Sequence, residues 1–241
     1  MCATITAESR VREVGARAID KGPRLAFHRA EMKKLLASCF MVFLSTLPAA
    51  FAGEEPVATT MAPQTESNYS RGATEFQNVT GAYFYFTTTD NRRPSVDFAL
   101  NSTRFGLMLN DPWEMGPLSG NFEVLGELFG GGIFQGPGDV MAGATLIFRY
   151  NFVQPRARLV PYLQIGTGGV YTNIGEAESR GLISLPVEFN LQGIGGTRLM
   201  LSDRWSLVIE GSYRHISNAE IKKPNFGIDS IGGNVGFGFF F

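Results

Sequence analysis

Apolar side chains occupy every second position along several stretches of this chain, with polar or small residues between them. In residues 204–217 the two alternating sets are Trp205, Leu207, Ile209 and Tyr213 on one parity, and Ser206, Glu210, Ser212 and Arg214 on the other. Residues 119–131 and 184–199 alternate in the same way. Successive side chains of a β-strand point to opposite faces, so this pattern predicts strands with one apolar and one polar face.

Eight such stretches can be counted, separated by turn compositions such as Gly136-Pro137-Gly138-Asp139. They cover about residues 75–87, 95–109, 119–131, 140–151, 159–172, 184–199, 204–217 and 228–241. Each is near the roughly 9–11 residues with which a tilted strand crosses a bilayer. The last stretch alternates up to Phe241, which is typical of bacterial outer-membrane proteins. The fold class predicted is all-β: an eight-stranded antiparallel transmembrane β-barrel of the outer-membrane type.

The polar faces predict a lumen in which charged side chains pair, namely Glu123, Glu127, Arg149, Glu188, Glu210 and Arg214. A soluble β-sandwich would also alternate, but it would rarely enclose so many charges. The parity slips in 95–109, and we expect a bulge near Gly106 there. Eight strands enclose just enough space for side chains, so we do not expect a general pore. Tyrosines such as Tyr83, Tyr85, Tyr150 and Tyr171 are interpreted as interfacial girdles.

The front of the chain reads as a processing region. A basic start at Met32, an uncharged run from 35 to 47 and a small-residue site before Gly53 predict a signal peptide over 32–52. Residues 1–31 are interpreted as the result of a start codon assigned too early. Residues 53–72 are predicted to form a flexible leader and residues 73–241 the outer-membrane β-barrel. A lipoprotein cut at Cys39 is the alternative. After the cut the chain has no cysteine and only one histidine, so no metal-ligand spacing is visible.

One stretch carries candidate chemistry: residues 213–219, followed by residues 224–229 on the next strand. His215 and Ser217 are two apart, so they point the same way as Tyr213, which is outward. Asp229 shares the parity of the outward residues on the facing strand, and adjacent antiparallel strands bring such residues together. Ionisable groups facing hydrocarbon are expensive and indicate function.

The three groups have complementary chemistry. A serine hydroxyl needs a base within hydrogen-bond reach, and His215 could take the proton of Ser217 while Asp229 holds the other ring nitrogen. Asn218, Asn225 or a backbone N–H near Ala219 could meet the oxyanion. Taken singly, each residue also has a structural interpretation, since a lone histidine, a Ser-Asn pair at a strand end and an aspartate in a turn are common.

The run His215-Ile216-Ser217-Asn218-Ala219, with Pro224-Asn225 and Gly227 after it, resembles the active-site signature of the lipid A 3-O-deacylase (PagL-type) family. The resemblance is sharpest over about 204–241. It implies an outer-membrane serine esterase that removes the acyl chain at position 3 of lipid A. His215 matches the base, Ser217 the nucleophile, and Asn218 and Asn225 the motif's asparagines. Asp229 stands where the family usually has glutamate.

The resemblance further implies lipid A, or lipopolysaccharide, as substrate in the bacterial outer membrane, with no cofactor. Outer-membrane lipids are the expected surroundings, a homodimer is compatible with the sequence, and a net charge of −1 without a basic block gives no indication of nucleic acid. Two other functions remain open from the sequence. One is a noncatalytic small barrel, such as an adhesin or structural protein. The other is a phospholipase-type barrel.

Overall fold

A computed structural model describes residues 67–86 and 93–241. Eight antiparallel strands form a closed barrel in which each strand pairs with its neighbours in sequence and the last pairs with the first. The strands are β1 (Thr74–Tyr85), β2 (Asp97–Met108), β3 (Gly120–Gln135), β4 (Val140–Phe152), β5 (Leu159–Thr172), β6 (Val187–Met200), β7 (Trp205–Ser217) and β8 (Ile228–Phe240). One turn of helix, α1 (Glu176–Ser179), precedes β6. The predicted eight-stranded barrel is confirmed.

Several strand ends coincide with the prediction, and the others differ from it by one to four residues. β3 continues four residues beyond 131, to Gln135. β6 begins at Val187 rather than 184, because one carboxylate oxygen of Glu188 accepts the backbone N–H groups of Ser184 (3.1 Å) and Leu185 (2.9 Å). These residues therefore form a side-chain-capped turn ahead of the ladder. The strands have 12 to 16 residues, more than a bilayer crossing needs.

The bulge predicted near Gly106 is wrong. The pairing of β2 with β3 is continuous around Gly106, and its register shifts instead between Asp97 and Phe98. The irregular parity has another cause: the apolar Leu100 and Met108 face inward, and the polar Asn101 and Thr103 face outward.

The outward residues Asn101 and Thr103 form hydrogen bonds with a neighbour on β1. The side-chain amide of Asn78 donates to Asn101 Oδ1 (3.1 Å) and to Thr103 Oγ1 (3.0 Å). The amide of Asn101 donates in turn to Asn78 Oδ1 (3.0 Å) and Thr80 Oγ1 (2.8 Å). The polar groups on this part of the wall therefore satisfy one another.

Buried ion pairs fill the lumen. Four arginines are at most 1% exposed: Arg104, Arg149, Arg198 and Arg214. Near one end, Arg149 and Arg198 both contact the carboxylates of Glu75 and Glu123, at distances between 2.5 and 3.3 Å. A buried charge is tolerated only when it is paired and hydrogen-bonded, and the Arg149–Arg198 network meets that condition.

A second network lies farther along the lumen. Arg104 donates to Glu127 (2.7 Å) and Glu210 (2.6 Å), and the hydroxyl of Tyr162 donates to Glu210 (2.6 Å). Arg214 lies 3.6 Å from Glu127. Of the predicted lumen charges, Glu188 alone serves a different purpose, since it caps the turn before β6.

Outside the cluster formed by Asn78, Asn101 and Thr103, the outer face is mainly apolar. Leu128 and Ile165 each keep 68% of their surface exposed, and Phe237 keeps 56%. An apolar exterior around a charged interior inverts the arrangement of a soluble protein and matches a barrel surrounded by lipid. Within the ranges 67–86 and 93–241, the helices are too short or too polar to span a bilayer.

Both ends of the lumen are closed by apolar clusters. At one end Ile216 and Ile228 pack with Leu182, Ile183 and neighbouring side chains. Tyr83 and Tyr85 belong to this cluster and are buried, so they form no part of an outer aromatic girdle. This cluster lies beneath the β7–β8 hairpin.

The other end is closed by residues 67–72, which fall in the segment expected to be a flexible leader. Tyr69 is fully buried, with its ring 5.4 Å from that of Phe240, and the Asn68 amide donates to the Asp203 carbonyl (2.6 Å). This part of the segment is therefore packed against the barrel. The start region (1–31), the signal peptide (32–52) and the rest of the leader lie outside the described residues.

Candidate functional site

The β7–β8 hairpin places three polar side chains on the outer wall. His215 and Ser217 follow the exposed Ile209 and Tyr213 on the outward face of β7, while the residues that alternate with this outward set are buried. Asp229 on β8 is the direct cross-strand partner of His215. The pairing register therefore decides that the imidazole and the carboxylate meet.

The structure brings the three predicted groups into one hydrogen-bonded chain. His215 Nδ1 lies 2.8 Å from Asp229 Oδ1, and His215 Nε2 lies 2.9 Å from Ser217 Oγ. With the proton on Nδ1, the ring donates to the carboxylate and its Nε2 accepts from the hydroxyl. Such a chain can draw a proton from the serine as its oxygen attacks an acyl carbon.

The hairpin is anchored by its inward side chains. Ile216 and Ile228 face each other across the two strands and are fully buried. Burying a side chain of this size stabilises the fold by about 1.5–3 kcal/mol. Because alternation forces their neighbours outward, this anchor also fixes the direction of His215 and Ser217.

Asn218 lies just beyond β7 and turns inward. It is 1% exposed, and its side-chain amide donates to Ser184 Oγ (2.9 Å) and to the Lys222 carbonyl (3.1 Å). Both of its side-chain N–H groups are thus used within the protein. The structure does not direct this carboxamide at Ser217, although the sequence predicted it as an oxyanion donor.

Asn225 is placed differently. Its Oδ1 accepts the backbone N–H of Asn218 at 3.3 Å, and its side chain is half-buried. The amide end of Asn225 therefore lies on the loop that follows Ser217. Ala219, whose φ is 51°, has its backbone in the left-handed region on the same loop.

Gly227 allows this loop to approach the imidazole closely. Its N–H donates to the Leu182 carbonyl (2.8 Å), and the neighbouring Phe226 N–H donates to the Gly181 carbonyl (2.9 Å). Its φ is +79°, and a Cβ added there would lie 2.7 Å from His215 Cε1. A side chain at this position would displace either the loop or the ring.

We expect Gly227→Ala to disturb the site more than the fold. An L-residue in the left-handed region costs about 1–2 kcal/mol, while a shift of about 1 Å at a reacting group can cost about 100-fold in rate. The measurement is the rate at which a fluorophosphonate labels Ser217. The matched control is Gly126→Ala, because a Cβ there meets nothing within 4 Å, and its labelling rate should equal that of the wild type. A wild-type rate for Gly227→Ala would contradict the close approach.

Tyr213 is a site residue that sequence reasoning missed. Its hydroxyl donates to Asp229 Oδ1 at 2.7 Å, the same oxygen that His215 Nδ1 contacts. The available signal was its position two residues before His215 on the same face, which puts it diagonally opposite the acid.

An apolar groove runs along the outer wall beside these residues. It has a volume of about 520 Å³, and its walls include Phe148, Ile165, Leu191 and Tyr213. Gly193, which pairs with Tyr213 across β6 and β7, forms part of its floor. An extended apolar chain would fit along such a surface.

No cluster of three or more His, Cys, Asp or Glu side chains suited to a metal ion occurs among residues 67–86 and 93–241. The titratable group that contacts the Ser217 hydroxyl is His215, and Asp229 contacts that ring in turn. The chemistry that this arrangement itself supports is therefore proton transfer coupled to nucleophilic attack by serine.

The model of the family described as lipid A 3-O-deacylase (PagL) matches residues 99–238, more than half of the chain's 241 residues. This range contains all five predicted site residues. No curated protein sequence gives a significant match.

Several solved structures are similar to this chain. The outer-membrane enzyme PagL is 16% identical over 66% of this chain and 97% of its own, with a TM-score of 0.49. For Neisserial surface protein A the figures are 13% identity, 70% and 98% coverage, and a TM-score of 0.47. For OprG from Pseudomonas aeruginosa they are 14%, 72%, 97% and 0.41.

Proposed function

This chain belongs to the lipid A 3-O-deacylase (PagL) family, and we propose that it is an outer-membrane esterase that removes the ester-linked acyl chain from position 3 of lipid A. The observation that carries the proposal is the unbroken chain of hydrogen bonds from Asp229 through His215 to Ser217. Asp229 takes the place of the acid that the resemblance assigns to glutamate.

The first half of the reaction forms an acyl-enzyme. Ser217 Oγ attacks the ester carbonyl carbon while His215 Nε2 accepts the hydroxyl proton. The resulting oxyanion re-forms the carbonyl, the bond to the sugar oxygen breaks, and the imidazolium returns its proton to that oxygen. Deacylated lipid A leaves as the alcohol.

The second half releases a fatty acid. Water gives a proton to His215 Nε2 and attacks the acyl-enzyme carbonyl, and collapse of the intermediate expels Ser217 Oγ, which takes the proton back. Asp229 stabilises the imidazolium in both halves. Asn225 and a backbone N–H near Ala219 are the proposed oxyanion donors, and Asn218 positions their loop from within through Ser184 and Lys222. An oxyanion donor typically contributes about 10²–10³ in turnover.

The substrate reaches the site without leaving the membrane. The lumen is filled by paired charges and closed at both ends, so an acyl chain has no interior pocket to enter. Lipid surrounds the outer wall, and the apolar groove beside Tyr213 can hold an acyl chain while the ester meets Ser217. We place the β7–β8 loop, and hence the site, at the cell-surface end of the barrel. In a barrel with an even number of strands both chain termini lie in the periplasm, so the loop between the last two strands lies on the opposite side.

Two other functions give different products. A noncatalytic barrel would leave every lipid unchanged, and it gives no reason for the hydrogen-bonded chain on an apolar wall. A phospholipase-type barrel would use the same three groups but would remove acyl chains from glycerophospholipids.

The test compares lipids from cells that express the wild type with those from cells that express Ser217→Ala, in a host whose lipid A keeps its 3-O-acyl chain. We expect mass spectrometry to show the loss of one hydroxyacyl chain from lipid A with the wild type only, and intact phospholipids with both. Equal lipid A masses would refute the esterase. Lysophospholipids without a change in lipid A would support the phospholipase.

A further inference from the structure

We propose that Tyr213 is a positioning residue that fixes the carboxylate of Asp229 and, through it, the ring of His215. The inference rests on the proposed function, because the roles of His215 and Asp229 come from it. Tyr213 would not react with substrate itself. It would set the direction in which the acid presents its lone pair to the imidazole.

The geometry carries this inference. Asp229 Oδ1 accepts from the Tyr213 hydroxyl at 2.7 Å and from His215 Nδ1 at 2.8 Å. Both donors stand on the outward face of β7, two residues apart, and the acid reaches them from β8. Hydrogen bonds to a charged acceptor are stronger and more directional than neutral ones, so the two donors together confine one oxygen.

The carboxylate of Asp229 requires a second hydrogen-bond donor to keep its orientation. The Asp229 side chain is 35% exposed and the His215 side chain 29%, and the cross-strand neighbours beside them include the apolar Leu191 and Ile231. Without Tyr213, rotation about the side-chain torsions of Asp229 would let Oδ1 turn away from Nδ1. The lost bond would release the imidazole from the tautomer that leaves Nε2 free to accept from Ser217.

Tyr213 is itself held in place by Phe86, the residue after β1. The two ring centroids are 6.2 Å apart, and the backbone N–H of Phe86 donates to the backbone carbonyl of Asp229 at 2.9 Å. One residue thus supports both the tyrosine ring and the strand position of the acid. The hydroxyl–carboxylate contact is therefore built on restrained elements.

A competing role must be separated from this one, because the Tyr213 ring also lines the apolar groove. Tyr213→Phe keeps the ring and removes only the hydroxyl. Under the positioning role it should lower kcat about tenfold, the scale of one hydrogen bond to a charged group, and leave KM within about twofold. In an Asp229→Ala background the same change should have no further effect, since coupled residues are not additive. Equal losses in both backgrounds, or a change confined to KM, would overturn the proposal.

A second readout does not depend on lipid A. The full chain, labelled with ¹⁵N-histidine and held in detergent, reports the ring nitrogens of His215, whose signals are assigned by their disappearance in His215→Ala. We expect Tyr213→Phe to shift the Nδ1 signal and Tyr171→Phe, a change at another exposed tyrosine, to leave it in place. A shift in a protein that does not cleave lipid A would uphold the positioning role while the proposed function fails. An unshifted signal in an active protein would overturn the positioning role alone.

Discussion

His215→Ala should lower kcat for lipid A deacylation by about 10⁵- to 10⁶-fold, and Asp229→Asn should cost about 10- to 100-fold less, as in other enzymes that use a serine, a histidine and an acid. The reason is the order of the chain of contacts. The imidazole touches the Ser217 hydroxyl directly at 2.9 Å, whereas the acid acts only through the ring. An asparagine can still hold the ring by an oxygen, but it offers no negative charge to the imidazolium.

The measurement is the initial rate of fatty acid release from lipid A in mixed micelles, at equal amounts of folded barrel. Folding is checked by the gel-mobility difference between heated and unheated samples. The control is Leu128→Ala, a truncation to alanine at an exposed side chain of the outer wall on β3, which should leave the rate unchanged. Complete and equal losses from both site variants would mean that the acid contributes more than a relay through His215 allows.

Arg104→Met should destabilise the barrel by about 3–5 kcal/mol, the usual effect of removing one partner from a buried ion pair. Arg104 is 1% exposed and contacts Glu127 at 2.7 Å and Glu210 at 2.6 Å. Without it, Glu210 would keep only the neutral donors Tyr162 and Asn234. Its carboxylate would then be an unbalanced charge inside the lumen.

The free energy of unfolding can be measured by urea titration in lipid vesicles, followed by tryptophan fluorescence. An exposed ion pair provides the control. The side chains of Lys223 and Glu220 are 70% and 72% exposed, so Lys223→Met, which breaks their contact, should change stability by about 0.5 kcal/mol or less. Adding Glu210→Gln to Arg104→Met should recover part of the loss. A loss below about 1 kcal/mol for Arg104→Met would show that water enters the lumen and screens the charges.

The barrel could be predicted because the outward-facing and inward-facing residues of a membrane β-barrel alternate along each strand. The outer face of β7 is recognisable in the sequence from Trp205, Ile209 and Tyr213. The same alternation places His215 and Ser217 on that face. Asp229 could be added because hairpin pairing joins neighbours in sequence. The site's outline therefore needed only local rules.

Other features depend on contacts that no local rule contains. Asn218 turns inward because Ser184, 34 residues away, lies beneath it. Tyr83 is buried because it bonds to Asn234 across the seam between β1 and β8. The bulge near Gly106 was wrongly predicted for a related reason: Leu100 and Met108 are apolar residues that pack inside the lumen, so apolar character alone did not indicate their direction.

The acid stands on β8, the strand that seals the cylinder against β1, and Phe86 is bound to it across that join. His215 and Ser217, by contrast, sit one strand earlier. A newly inserted chain whose first and last strands have not yet met would keep the β7–β8 pairing of His215 with Asp229 but would lack the hydrogen bond from Phe86 to the backbone of the acid. Closure of the barrel therefore adds the last backbone support of the acid, so the site is complete only once the first and last strands have paired.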